Sequence, residues 1–586
     1  MPSTFFGLTI GSSGLNAANI ALNTTSHNIA NIETDGYSRQ QVEATADNAL
    51  RVYSSYGMAG SGVAVIDVKQ VRDSYYDYKY WNNNKITGEY TVKRQYGKEI
   101  EDLYFNELTD AGFTTYYGKF CNALDAFSST PSEQSIRNQV IMSGQSLADY
   151  FNNVAENLEQ YQDEVNTNIK MVIDRVNTIS SNIASLNGQI SVLEMNGGTA
   201  NDLRDKRNTL VDELSGLVGV TVKETVSPTG SSYYDIKINN QSLVYGTNYH
   251  TLSVQARESS ERRHGTDLYG LYDIKWDTGL NFDSYNEKLS GELMGYLQIR
   301  DGDNLVKPDF PLDANGDKIG QAVDYKGIPY YMEQTNAFLS EYTKQFNTIH
   351  MTAGGQDLNG NTTEEVPFFT IKDMSVDEMK QKMDNNEDGF GKYKTTVTVT
   401  SADEIMAKDI ENYKRANNIK PGAMSDQDVK DAIMNNGGTV ERYDIVSCIA
   451  DNVTAGNICV NPDLVLHNDM LSSGKSIYSS GVDTPDIAEA LKDLRAKKTF
   501  RGGMPEEQMQ ALVSVSSVDS TAAKGMMENH ENIGDSIINQ RLSVMGVDKE
   551  EEAVALVKYQ HAFELASKVI SVMNELYDKL INQTGL

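Results

Sequence analysis

Cysteine is nearly absent from this chain of 586 residues, and the three present, Cys121, Cys448 and Cys459, stand far apart. No pair of them has the spacing of a zinc ligand set or a redox CxxC, and an extracellular disulfide framework needs more. Cys448 and Cys459 either bridge each other or stay reduced, with buried free thiols the expected state. Histidine is almost as scarce: seven are scattered along the chain and none pairs with another at ligand spacing. His530 precedes Glu531 but has no second His four residues on, so the zinc-protease pattern is missing. No Ser sits in a Gly-x-Ser-x-Gly elbow, and no Cys has a recognisable catalytic context. The expectation is a protein that is not an enzyme, with no catalytic set, no metal site and no cofactor.

Residues 1–38 contain no Lys or Arg, so the positively charged start of a cleaved secretory signal is not expected there. No uninterrupted apolar run is long enough to span a bilayer. Taken alone, these absences read as cytoplasmic, or as a route out of the cell that uses no cleaved leader. Over the whole chain 51 Lys and Arg face 82 Asp and Glu, a formal net charge of −31. Such a surface repels nucleic acid and anionic membrane, so neither is expected as a partner.

What the sequence does have is helical periodicity at both ends. Leu8, Leu15, Ala18, Leu22, Thr25, Ile29 and Ile32 fall mostly at alternating steps of three and four. That is a coiled-coil period written largely with small side chains, which let helices approach closely. Leu556, Tyr559, Phe563, Ala566, Ile570, Met573, Tyr577 and Leu580 keep the same step near the other end. Two such helices can bury their stripes against each other and bring the ends of the chain together. A third stripe runs from Leu147 through Phe151, Val165, Val176 and Ile190 to Leu193, until Asn196-Gly197-Gly198 stops it. At 1.5 Å per residue a helix over 147–193 is on the order of 70 Å long, a rod with one apolar side. A shorter helix is expected over about 201–217, starting near Asp202 and ending before Gly219.

From Val218 the period changes to alternation. Val220–Val222, Tyr234–Ile238 and Tyr272–Trp276 read as strands, with turns at Pro228-Thr229-Gly230 and Asn239-Asn240. Helix resumes around 328–350. A mixed stretch follows, with a strand near Thr395–Thr400 and helical pieces near 402–415 and 425–435. From Met504 onward the chain is helical. The fold class expected is multi-domain α+β: a long α-helical coiled coil or bundle built from both termini, with nested β-rich outer domains. The expected divisions are an N-terminal helix at 1–40, a helical domain at 41–217 and a β-rich outer domain at 218–290. The chain returns to the helical domain at 291–352, then makes a mixed outer insertion at 353–503. The helical domain closes with 504–550, and a C-terminal helix occupies 551–586.

Two stretches hint at ligands and are better read as turns. Ser473-Gly474-Lys475-Ser476 resembles the end of a phosphate loop, but Asp469 stands where the first glycine belongs and would repel phosphate. Asp313-Ala314-Asn315-Gly316-Asp317 resembles the opening of a calcium loop. Lys318 takes the place of its glycine there, and Asp324 that of its last ligand. Asp301-Gly302-Asp303 and Asp357–Asn361 are less specific still.

The best-organised segments resemble a known family. Leu15-Asn16-Ala17-Ala18 through His27-Asn28-Ile29-Ala30-Asn31, then Thr34-Asp35-Gly36-Tyr37-Ser38-Arg39-Gln40, is similar to the N-terminal motif of flagellar rod, hook and hook-associated proteins. The family pattern reads Asn-Asn-x-Ala-Asn and then Thr-x-Gly-Tyr, so Asn28, Ala30, Asn31, Thr34, Gly36 and Tyr37 match and His27 departs from it. Asn201-Asp202-Leu203-Arg204-Asp205-Lys206-Arg207 with Leu210–Leu214, Ser290–Leu297, Phe346–His350 and Gly546–Glu552 with Val557–Gln560 resemble the members that join hook to filament.

The resemblance implies a structural adaptor subunit, exported through the flagellar type III channel and assembled at the hook tip through its terminal helices. It implies as partners the hook protein, other hook-associated proteins, further copies of itself in a ring, and a cytoplasmic export chaperone. Self-assembly falls to Leu15, Ala18, Leu22, Ile29, Leu556, Tyr559, Phe563, Ala566, Ile570, Met573, Tyr577 and Leu580. Chaperone binding falls to Phe563, Ile570, Met573 and Tyr577, and the address is extracellular. Two rivals remain open: the hook protein itself, and a secreted adhesin or enzyme acting through the 353–503 insertion.

Overall fold

The computed structural model describes residues 6–51, 58–105, 112–195, 197–226, 232–286, 288–305, 322–417, 419–420, 423–478, 481–501 and 503–583. The Pro228–Gly230 turn, Asn196 and the Asp313–Asp317 stretch lie outside these residues. Helix α1 (Phe6–Ala30) opens the chain, followed by β1 (Gln40–Ala46), β2 (Leu50–Arg51), β3 (Met58–Ala59) and β4 (Val63–Gln70). β1 pairs with β4 and β2 with β3, all antiparallel. A helical body follows in α2 (Ser74–Phe105), α3 (Phe113–Ser129), α4 (Gln134–Glu194) and α5 (Asn201–Leu217).

A first outer region holds β5 (Thr221–Val226), β6 (Ser232–Ile238), β7 (Gln241–Tyr245) and β8 (Asn248–Tyr249) as one four-stranded meander. Beside it β9 (Leu252–Ala256) pairs with β10 (Tyr272–Trp276). Asn239 and Asn240 make the β6–β7 turn with positive φ values of 48° and 67°. Helices α6 (Glu292–Asp301) and α7 (Ile328–His350) bring the chain back to the body.

A second outer region leaves through β11 (Phe369–Ile371). It runs through α8 (Val376–Asn385), β12 (Lys394–Thr398), α9 (Ala407–Ala416), α10 (Asp426–Asn435), β13 (Thr439–Tyr443) and α11 (Ile445–Asn452). It returns through β14 (Ile458–Val460), which pairs with β11. α12 (Pro462–Leu466), β15 (Ser476–Tyr478), β16 (Gly481–Thr484) and α13 (Asp486–Asp493) lead into α14 (Pro505–Met545) and α15 (Lys549–Asn582).

α4 is the spine. Its buried residues include Val140, Leu147, Phe151, Val165, Val176, Ile183 and Ile190, spaced at threes and fours along one face. With 61 residues it extends about 90 Å. It begins at Gln134, well before the Leu147 expected from the apolar stripe, and two residues hide that first stretch. Arg137 sits at a stripe position yet is fully buried, and Gly144 is small because Phe368 and Phe120 press on it. Arg137 is held by carbonyls instead of carboxylates: Nε donates to the Pro131 oxygen at 2.7 Å and Nη1 to the Leu471 oxygen at 2.7 Å.

α2 also escapes the periodicity reading. Its buried face mixes Trp81, Val92, Tyr96 and Ile100 with Asp77, Asn83 and Lys93, so no clean apolar stripe is left. α2 packs along α14, where Asn83 donates to the His530 carbonyl at 2.8 Å and its side-chain oxygen meets His530 Nδ1 at 2.8 Å. One main core runs from these helices through Phe120, Phe151 and Phe346 to Phe369.

The second outer region has two small cores of its own. One gathers Met379, Met383, Phe390, Tyr393, Ile445, Cys448 and Ile449. The other gathers Val399, Ile405, Ile410, Val429, Ile433 and Val440. The chain enters and leaves this outermost lobe on paired strands, Lys394 opposite Tyr443. All three cysteines are free thiols, with Cys121 and Cys448 buried.

Candidate assembly surface

Asn28 is the centre of the N-terminal motif. It is buried in the last turn of α1; its Oδ1 accepts from the Tyr37 hydroxyl at 2.8 Å and from the Gln40 amide at 2.9 Å. Its Nδ2 donates to the Gln40 carbonyl at 2.9 Å. One side-chain amide thereby folds the chain back from helix into β1, which no Asp or Leu could do with the same set of donors and acceptors. Asn31 Nδ2 donates to the His27 carbonyl at 3.0 Å, Thr34 donates to Asn31 Oδ1, and Gly36 takes a positive φ of 76°. A Cβ at Gly36 would collide with Thr209 of α5. His27, where the family pattern has Asn, keeps the turn by packing edge-on to Tyr37 and meeting Asp202 Oδ1 at 3.3 Å. Ala30 is exposed.

Immediately behind this turn five segments meet in a charged joint. Ser38 donates to Asp205 through its amide at 2.9 Å and its hydroxyl at 2.7 Å. Arg72 pairs with Asp77 at 2.8 Å and reaches Asp205 at 3.3 Å. Arg541, near the end of α14, bridges Asp77 and Asp212 at 2.7 Å each, and Trp81 donates to Asp212 at 2.6 Å. Arg39 meets Glu552 at 2.8 Å and Glu551 at 3.2 Å at the start of α15, while its amide donates to the Met545 carbonyl. Burial raises the Asp205 carboxyl above its usual range against the pull of Ser38 and Arg72. Burial works against the Arg541 charge too, but Asp212 and Asp77 outweigh it and hold the guanidinium above its ordinary value. The joint fixes where the terminal helices leave the body. Its residues come from widely separated positions, which is why the sequence gives no sign of it.

α1 and α15 then run side by side, antiparallel. Gly7 faces Met573, Gly11 faces Ile570 and Gly14 faces Ala566. A Cβ at Gly11 would lie 3.0 Å from Ile570 Cγ1, so glycine is what lets the two backbones approach. The residues of α1 that are fully buried are Gly11, Ala18, Ala21, Thr25 and Asn28, whereas Leu15, Leu22 and Ile29 are half-buried. The other flank of α1 lies on β1 and β4, where the Val63 amide donates to Ser13 Oγ at 3.2 Å. On α15, Leu556, Tyr559, Phe563, Ala566, Ile570, Met573 and Tyr577 are half-buried, and Leu580 is exposed.

A second apolar stripe on α15 has no cover. Val554, Val557, Leu565, Val569, Val572, Leu576 and Ile581 are between 48 % and 71 % exposed. Val554, Val557, Leu565, Val572 and Leu576 follow the helical step on the flank away from α1, with Val569 at its edge beside Gly11, and a second helix count along 551–576 would have found them. On α14, Leu542 is 52 % exposed. Exposed apolar stripes of this extent mark contact surfaces.

Within the described residues, the Ser473-Gly474 and Asp357–Asn361 stretches are engaged by the protein itself. Ser473 Oγ accepts from Arg137 Nη2 at 3.0 Å, and the Gly474 carbonyl accepts from the Gln356 amide at 3.0 Å. Asp357 Oδ1 takes the amides of Asn359 and Asn361 at 2.8 and 2.7 Å, closing its own turn. Among the described residues, no group of three or more His, Cys, Asp or Glu is placed to hold a metal ion. Among the same residues, no helix is long and apolar enough to cross a membrane.

Three family models match the chain. They are the helical domain of flagellar hook-associated protein FlgK over residues 98–369, the C-terminal part of the flagellar basal body rod FlgEFG proteins over 538–583, and the flagella basal body rod protein over 8–37. Flagellar hook-associated protein 1 of Bacillus subtilis is 26 % identical over 605 aligned residues, covering 100 % of this chain and 99 % of that protein. The protein of the same name from Escherichia coli is 25 % identical, covering 97 % of this chain and 98 % of its own length. The solved flagellar hook junction protein FlgK from Burkholderia pseudomallei shares the fold, with a TM-score of 0.50 and 13 % identity. It covers 80 % of this chain and 100 % of its own. The chain belongs to the flagellar rod and hook axial protein family. Within it, the chain stands with hook-associated protein 1, along whose length it aligns from end to end.

Proposed function

We propose that this chain joins hook to filament in the bacterial flagellum through its terminal helix pair. It is a structural component of the flagellum, located outside the cell, and its class is that of the hook–filament junction. The observation that carries the proposed mode is the pairing of α1 with α15 through Gly7, Gly11 and Gly14, with a second α15 stripe left open. One stripe closes the pair. The other, from Val554 to Leu576, is the face for neighbouring copies in a ring, for the hook protein on one side and for further hook-associated proteins on the other. The charged joint around Arg541 transmits load from the pair to the helical body.

The same geometry suggests how an export chaperone acts. Met573 and Ile570 face Gly7 and Gly11, so with Phe563 and Tyr577 they are open to a chaperone only while α1 is undocked. A chaperone on α15 would therefore keep the pair from closing before the chain passes through the flagellar export channel.

Deleting the gene and imaging the cells by electron microscopy, with flagellin assayed in the medium, tests the role. Hooks of normal length without filaments, with flagellin lost to the medium, are expected. Missing or overlong hooks would move the protein to the rod or the hook, and normal filaments would remove it from the axial structure.

A further inference from the structure

The outermost lobe and its neighbour touch at a side-chain cluster that the assembly role does not use. Lys380, on α8 in the first small core, is 3 % exposed. Its Nζ lies 2.5 Å from Glu365 Oε2 and 3.1 Å from the Oδ1 of Asn412. Asn412, on α9 in the outermost lobe, is 4 % exposed, and its Nδ2 reaches the Glu441 carbonyl at 3.4 Å. The Tyr443 ring covers Lys380 at 5.7 Å from its centroid. A buried amine, a side-chain amide carbon one bond beyond a hydrogen-bonded oxygen, and a carboxyl touching the amine are the three groups an amide exchange needs.

We propose that Lys380 and Asn412 join in an intramolecular isopeptide bond, with Glu365 as the proton carrier. Glu365 takes a proton from the Lys380 ammonium along their hydrogen bond, leaving a neutral amine and a neutral acid. Nζ attacks Cγ of Asn412, the Nζ–Cγ bond forms, and Glu365 delivers its proton to the departing Nδ2. The Cγ–Nδ2 bond breaks. The second proton of Nζ passes through the same carboxyl, so nitrogen leaves as ammonium and Glu365 ends as it began. No oxidant or co-reactant enters. A cleft of about 270 Å³, lined by Glu364, Glu365, Ser375, Lys380, Lys408 and Glu411, gives the ammonium a way out.

The bond would tie together two lobes whose only continuous connection is the β12–β13 neck. All three thiols of the chain are free, so the bond would do outside the cell what a disulfide does elsewhere. The test is the mass of the purified full-length chain, with peptide mapping. The wild-type chain is expected to lack one ammonia and to yield a branched peptide linking Lys380 to Asn412. Glu365→Gln, with an unchanged circular dichroism spectrum, is expected to restore the full mass and both linear peptides. A wild-type chain of full mass with linear peptides at both positions would overturn the proposal, whatever the variant does. A branched peptide that persists in Glu365→Gln would remove Glu365 from the chemistry.

Discussion

The ring of His350 has no exposure to solvent and a fixed tautomer: Nδ1 donates to the Val366 carbonyl at 2.8 Å and Nε2 accepts from the Ser472 amide at 3.0 Å. Burial holds the imidazole down at about 4, with the Val366 bond pulling upward and the Arg137 charge downward. Above its usual value near 6.5 the neutral ring serves both folded and unfolded chains. As pH falls below that, the unfolded chain takes up a proton the folded one refuses, and stability declines until about 4. The loss is on the order of 3 kcal/mol. Urea melts of the wild-type chain and of His350→Gln between pH 7 and pH 4 should converge as pH falls. Arg541 predicts the opposite kind of sensitivity. Replacing it with Met leaves Asp77 and Asp212 buried without their shared cation and should cost about 3 kcal/mol at neutral pH. Arg541→Lys should recover little of it, because one ammonium cannot span both carboxylates. Thermal melts of the two variants check this.

At the scale of the element, the two terminal stripes could be read because each is a single uninterrupted run of small or apolar residues. What lay beyond reach was the division of α15 into two faces, since the closed and open stripes have the same period and differ only in what covers them. The division makes a prediction. Leu22→Asp or Ile570→Asp should prevent the helix pair from closing, whereas Leu565→Asp or Leu576→Asp should leave the pair intact and fail only at contacts between subunits. All four should keep the melting of the helical body, and all four should block filament growth. Only the first two should expose α1 to limited proteolysis. α4 and α2 teach the complementary lesson. A stripe interrupted by Arg137 and Gly144, or built from Asp77, Asn83 and Lys93, is buried just as fully, but polarity hides it from a reading that looks for apolar residues.

At the scale of the molecule, the order helix, sheet, helix, mixed insertion, helix was legible because each change of period marks a change of layer. The joint was not, because Ser38, Arg72, Asp205, Asp212, Arg541 and Glu552 converge only when both long helices have folded. The outermost lobe is the most separable part, with its own core and a neck only two strands wide. Replacing residues 395–442 by a short Gly-Ser link between Lys394 and Tyr443 should leave the melting of the body unchanged and still support filaments. Loss of filaments in that variant would give the lobe a part in the junction itself.

The antiparallel contact of Gly7, Gly11 and Gly14 with Met573, Ile570 and Ala566 also ties the state of α1 to the presence of α15. α1 finds its partner in α15, more than 500 residues further along the chain, so a chain cut short before α15 carries a glycine face with nothing to lie on it. If the closed pair is the assembly face proposed above, such a fragment could build most of the body yet would have no finished end to offer the growing structure.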